Sequence, residues 1–175
     1  LPIFPSYGNN LNDRVAICRQ PTVVERLLEV AHLRPDNIAM IVDGQEWSYT
    51  QLINSAMFLA KQLDGEKLIV GIYTNRRAFS YIAILAVVFA GGTYVPLNCR
   101  YSIERNRHIL RRSGATVLLH GDELTDIATD IVSGTVVSLM TNDLEAENST
   151  KTSWNFKLPA LEDKAYIMFT SGSTG

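Results

Sequence analysis

Cysteine is scarce in this 175-residue chain, with Cys18 and Cys99 the whole complement. Residues so far apart make no metal-type spacing and no disulfide framework, so both are expected as reduced structural residues. Long apolar runs are missing too. The longest, Ala78 to Ala90, is broken by Ser80 and Tyr81 and falls short of the roughly 20 residues a bilayer crossing needs. It reads instead as a buried helix. Nor is there an excess of charge of one sign: the formal net charge is -2, which gives no reason to expect a nucleic acid or an anionic membrane as partner. The opening "LPIFPSYGNN" has neither the basic start nor the apolar core of a signal peptide, so a cytoplasmic location is expected. An initiating Met is also lacking. Together with an abrupt C-terminus, that suggests a piece of a longer polypeptide.

What is present suits a globular fold. Hydrophobic residues make up 46% and charged residues 19%, enough apolar material for one sizeable domain or a large part of one.

Periodicity divides the chain after a loop-like lead-in, residues 1–21. Thr22 and Glu25 of "TVVERLLEVAHLRP" have capping-box spacing, and Pro35 closes that helix. "IAMIVDGQEWSY" alternates around Asp43-Gly44, a hairpin signal. A second helix is expected after Thr50, with Leu52, Ile53, Ala56, Leu59, Ala60 and Leu63 on one face.

The near-continuous apolar run "LIVGIY" (68–73) predicts a strand covered on both faces. The apolar helix 78–90, Gly91-Gly92 and the short strand "TYVPL" follow. Ser102 opens a helix reaching about Arg112; "TVLLH" (116–120) and "TVVSLM" (135–140) read as strands on either side of a helical stretch at 122–131. Residues 141–163 are polar and irregular, a surface connection. "AYIMF" (165–169) is the last expected strand. The alternation predicts an α/β fold: a layered, mostly parallel sheet with helices on both faces. In such sheets ligands bind beyond the carboxyl ends of the strands.

There the last strand delivers Thr170, Ser171, Gly172, Ser173, Thr174 and Gly175. Glycines let successive backbone N–H groups turn toward an anion, and four hydroxyls add donors. A phosphate-rich ligand suits such a loop, although composition alone fits a surface turn. The Walker-type loop is excluded. It needs four residues between its glycines and a following lysine, whereas only Ser173 and Thr174 separate Gly172 from Gly175 and no lysine is present.

Residue order narrows the choice. "AYIMFTSGSTG" closely resembles the phosphate-binding signature of the adenylate-forming enzymes, especially the amino-acid adenylation domains of nonribosomal peptide synthetases. "WSYTQL" (47–52) looks like that family's first conserved segment, and "FAGGTYVPLN" (89–98) is similar to its second. "IERNRHILRRSGATVLL" (103–119) looks like the helix–strand that follows. The resemblance spans roughly residues 22 to 175. It departs at Cys99 and Ser102, where the family often has proline, and at Arg112, where an acidic residue is common. The family's loop also continues with a proline, a lysine and a glycine that this sequence does not reach.

The resemblance implies the N-terminal subdomain of an adenylation domain (22–175), cut within its phosphate-binding loop. It implies an enzyme that joins a carboxylic acid to ATP, with Mg²⁺, and passes the acyl group to phosphopantetheine on a carrier protein or to coenzyme A. Thr170, Ser171, Gly172, Ser173, Thr174 and Gly175 would hold the β- and γ-phosphates. No catalytic or metal residue falls within the chain, because the catalytic lysine and the Mg²⁺ carboxylate lie further on in the family. The 175 residues alone are therefore expected to be inactive. "SGSTG" and "GGTYVPL" lean toward amino-acid activation. The alternatives are an aryl- or fatty-acyl-CoA ligase fragment and a truncated non-catalytic interaction module.

Other residues read as architecture. Trp47, Tyr49 and the Tyr94-Val95-Pro96 strand are expected to pack. His32, His108 and His120 are dispersed. Arg100, Arg105, Arg107, Arg111 and Arg112, with Glu104 alone against them, read as a solvated helix face, with a docking surface for another domain as the alternative.

Overall fold

Residues 21–63, 67–75, 77–121, 135–138 and 159–170 are described by the computed structural model of the chain. The lead-in residues 1–20, the expected helix at 122–131, the connection through residue 158 and Ser171–Gly175 lie outside the described residues.

Local sequence signals act first. Helix α1 (Val23–Leu33) starts on the expected capping box: the Glu25 N–H donates to Thr22 Oγ1 at 3.2 Å, and the Thr22 N–H donates to Glu25 Oε2 at 2.7 Å. Strands β1 (Ile38–Val42) and β2 (Gln45–Ser48) form an antiparallel hairpin. Its two turn residues both take left-handed backbone angles, Asp43 at φ 54° and Gly44 at φ 78°, as a tight two-residue turn matched to strand twist requires. Helix α2 (Tyr49–Ala60) begins two residues earlier than expected after Thr50. Ser48 is its N-cap and Gln51 completes a second capping box. Thr50 is already inside the helix, its hydroxyl donating to Pro35 O at 3.0 Å. Leu63, expected on the helix face, lies past the end but is still buried.

The sheet follows. Strands β3 (Ile69–Thr74), β4 (Thr93–Asn98), β5 (Val117–His120) and β6 (Thr135–Ser138) are all parallel, in the order β4-β3-β5-β6. Helix α3 (Ala78–Phe89) links β3 to β4, and α4 (Ile103–Ser113) links β4 to β5. The expected parallel α/β architecture is borne out.

Alternation along the central strand separates two cores. Val70 and Ile72 face α2 and α3 in a cluster with Leu59, Ile82, Ala83, Ala86, Val87 and Leu119. Gly71 and Tyr73 face the other way, where Val95, Leu97, Leu118 and the α4 residues Ile109 and Leu110 pack. Helices thus cover both faces, which explains the continuous apolar run at 68–73.

Candidate functional site

From Lys164 the chain lies beside β4. Tyr166 bridges Tyr94 in parallel sense. The Tyr94 N–H donates to Ala165 O at 3.0 Å, and the Ile167 N–H donates to Tyr94 O at 3.0 Å. The Thr93 hydroxyl adds a bond to Lys164 O at 2.8 Å. The rings of Tyr94 and Tyr166 lie 5.6 Å apart, tilted by 34°. Ile167 and Phe169 turn toward the α4 face and pack on its core, while Tyr166 and Met168 are exposed on the other side.

This corrects one expectation. Residues 165–169 do not form a full strand; the segment makes a single bridge and then leaves the ladder. The cause is in β4. Its residues turn alternately toward β3 and toward the terminal segment, and Thr93 donates to Leu68 O on the β3 side at 2.8 Å. Tyr94 therefore serves the segment, and two residues on that role falls to Pro96, which has no N–H.

Thr170 comes four residues after Tyr166, at the end of the described segment. Thr170 is exposed. Of the six residues expected to hold phosphate it alone is described; Ser171, Gly172, Ser173, Thr174 and Gly175 lie outside. The parallel sense of the Tyr166 bridge means that the segment runs in the direction of the strands' carboxyl ends, the ligand-binding end of such sheets.

That end is built from polar strand termini. Asn98 Oδ1 accepts from the Arg100 N–H at 2.9 Å, and Asn98 O accepts from Asn106 Nδ2 at 2.9 Å. Ser102 caps α4 by accepting from the Arg105 N–H at 3.3 Å, and the Arg105 guanidinium lies 4.1 Å from the centre of the Tyr101 ring. His120, level with Tyr73 on the neighbouring strand, is fully buried. Its Nδ1 is 3.0 Å from Gly121 O, a contact that makes Nδ1 the donor, and Nε2 has no hydrogen-bond partner. Burial raises the Tyr73 phenol above its ordinary value, and the electrostatic interaction with nearby Cys99 adds to the shift. Burial raises Tyr94 likewise, with Tyr166 adding to it. Among the described residues no group of three or more His, Cys, Asp or Glu could hold a metal ion, and no helix is long and apolar enough to cross a membrane.

Tyr94 reads from sequence as architecture, yet together with Thr93 it holds the segment that carries the loop. Both "TYVPL" and "AYIMF" have strand character, but strand order is not written in periodicity, so their adjacency is not legible there. Among the arginines, Arg111 and Arg112 occupy the last turn of α4, where cations suit the helix dipole.

Comparison with known proteins supplies the deciding observation: residues 27–175 match the family of AMP-binding enzymes. The chain belongs to that family. It is 33% identical over 153 residues to tyrocidine synthase 1 of Brevibacillus parabrevis, covering 84% of this chain and 14% of that protein. It is 30% identical over 171 residues to gramicidin S synthase 1 of Brevibacillus brevis, covering 94% of this chain and 15% of that one. The chain thus spans a small part of the length of these relatives. Among solved structures, the N-terminal subdomain of Klebsiella oxytoca NpsA in complex with 3-hydroxybenzoyl-AMSN superposes with a TM-score of 0.72 at 26% identity, covering 92% of this chain and 40% of that one. The N-terminal adenylation-subdomain fold and the likeness to peptide-synthetase adenylation domains expected from the three ordered motifs are borne out.

Proposed function

We propose that this chain, from residue 22 onward, is the phosphate-gripping part of an ATP-dependent enzyme that activates an amino acid as aminoacyl-AMP for nonribosomal peptide synthesis. The observation that carries the reading is the parallel bridge of Tyr166 to Tyr94 in a chain of the AMP-binding family. It sends Thr170 toward the carboxyl ends of the strands. In the proposed reaction a carboxylate oxygen attacks the α-phosphorus of ATP and pyrophosphate leaves. A phosphopantetheine thiol on a carrier protein then takes the acyl group and AMP departs. Thr170, Ser171, Gly172, Ser173, Thr174 and Gly175 hold the β- and γ-phosphates through backbone N–H groups and hydroxyls. Their contribution is positioning and charge stabilisation, and the 175 residues alone do not complete the reaction. Mg²⁺ accompanies the ATP, and none of the described residues is assigned to it. Cytoplasmic synthesis is part of the same reading.

The resemblance of "SGSTG" and "GGTYVPL" to amino-acid-activating domains supports this choice of acid, as do the two synthase relatives. An aryl acid is the second reading, favoured by the 3-hydroxybenzoyl group in the NpsA complex. ATP–pyrophosphate exchange on the longest in-frame extension of the chain separates the two. Exchange with pooled amino acids, absent from the 175-residue control, is the expected result. Exchange only with aryl or fatty acids transfers the reading to an acyl ligase. Silence with every acid leaves a non-catalytic module.

A further inference from the structure

The terminal segment is tied to β4 at one end of its run and released at the other. Lys164, Ala165 and Ile167 are bonded to Thr93 and Tyr94, and the backbone ladder with β4 does not continue into Met168 or Phe169. Pro96 explains the release. In the register set by Tyr94, the next donor to the segment would be the N–H of residue 96, and proline has none. The carbonyl of Ile167 therefore has no ladder partner on β4, and the backbone pairing stops three residues before Thr170.

We propose that Thr93 and Tyr94 are positioning residues for the phosphate loop and that Pro96 sets where the loop leaves the sheet; the inference rests on the phosphate-binding reading above. Three contacts fix the held end in different directions. The Thr93 hydroxyl and the Tyr94 peptide group hold it in the plane of the sheet. The Tyr94 ring supports Tyr166 on one face. Ile167 and Phe169 pack against the core on the other. From Ile167 to Thr170 the extended reach is only about 10 Å, so a shift at the anchor passes to the first loop residue with little slack. Neither Thr93 nor Tyr94 need touch the ligand; both act through the segment.

Pro96 has a second consequence. A residue with an N–H at this position would draw Ile167, Met168 and Phe169 into a continuous strand and hold Thr170 in the sheet plane. The strand termini Asn98 and His120 lie at the carboxyl ends toward which the segment runs.

The test uses the longest in-frame extension of the chain, which completes the loop, with Thr93→Val, Thr93→Ser and Pro96→Ala. Each variant is first checked by thermal melting. Amide hydrogen exchange over residues 165–175 is then measured, along with binding of tripolyphosphate. Thr93→Val keeps the shape of the side chain and loses its donor. It is expected to speed exchange at 165–170 and weaken tripolyphosphate binding, each by about fivefold, the scale of one hydrogen bond. Thr93→Ser restores both. Pro96→Ala slows exchange at residues 167–169 by supplying the missing donor. If wild type binds tripolyphosphate and Thr93→Val binds it equally well, the positioning role is overturned. Unchanged exchange in both Thr93→Val and Pro96→Ala overturns the clamp itself. A wild-type chain that takes up no tripolyphosphate overturns the phosphate reading and the positioning role with it, a result distinct from the other two.

Discussion

Leu110 Cδ2 lies 2.5 Å from the point where a Cβ on Gly71 would stand, and Leu118 Cδ1 lies 3.1 Å from it. Helix α4 therefore rests directly on the backbone of the central strand. Leu110 is itself buried, so it cannot swing aside without disturbing the core. Gly71→Ala is expected to destabilise the chain by about 1–2 kcal/mol through overpacking, outweighing the gain from a stiffer unfolded chain. Urea unfolding of the two chains checks this, and a more stable variant would show that α4 can lift off the sheet.

On the opposite face, Leu59 is fully buried between α2 and the sheet cluster. Leu59→Ala removes three carbons from a site that cannot collapse freely, and a loss of about 3 kcal/mol is expected. Val23, on α1, is exposed. Val23→Ala should change stability by less than about 0.5 kcal/mol, which makes it the control for burial.

The start of α2 gives a sharper comparison. Ser48→Ala removes the oxygen that accepts from the Gln51 N–H and should cost about 1 kcal/mol. Thr50→Ala loses only an exposed bond to Pro35 O, with an expected cost of about 0.5 kcal/mol or less. Equal losses, read by denaturant midpoint at constant m, would move the cap away from Ser48.

Alkali provides a test that involves no large side-chain deletion. Tyr73 and Tyr94 both have phenols raised above the ordinary value, chiefly by burial. The unfolded chain therefore loses these protons first as pH climbs. Their contribution to stability is complete below about pH 10 and is lost as pH rises through the folded values. The melting temperature should fall in that window, and Tyr94→Phe should make the fall shallower. A variant that falls as steeply as wild type would remove Tyr94 from the account.

Much of this fold is legible because short-range chemistry wrote it. Thr22 with Glu25, Asp43 with Gly44, and Ser102 before Ile103 each specify a boundary through neighbours within a few residues. Taking Thr50 as the opening of α2 misplaces its start, since Ser48 and Gln51 form a capping box that Thr50, with Ile53 three residues on, lacks. The last strand misleads for a different reason. "AYIMF" has the apolar character of a strand, but its pairing depends on Pro96, which lies far earlier in the chain and shows its effect only once the register is known. Partner identity across such a separation is a property of topology rather than of local pattern. The site is legible to the same extent: the loop's chemistry stands out in sequence, while the residues that hold its approach do not.

The platform for the terminal segment is finished long before the segment itself is made. Tyr94 precedes Tyr166 in the chain with α4, β5 and β6 between them, and β5 and β6 assemble on the far side of β3. During synthesis from the N-terminus, the edge of β4 therefore stands open while the rest of the sheet closes behind it. Docking of the segment becomes a late event with high contact order, one that can be slow without delaying the core. Until it docks, the nascent protein has a formed core and an unpaired β4 edge.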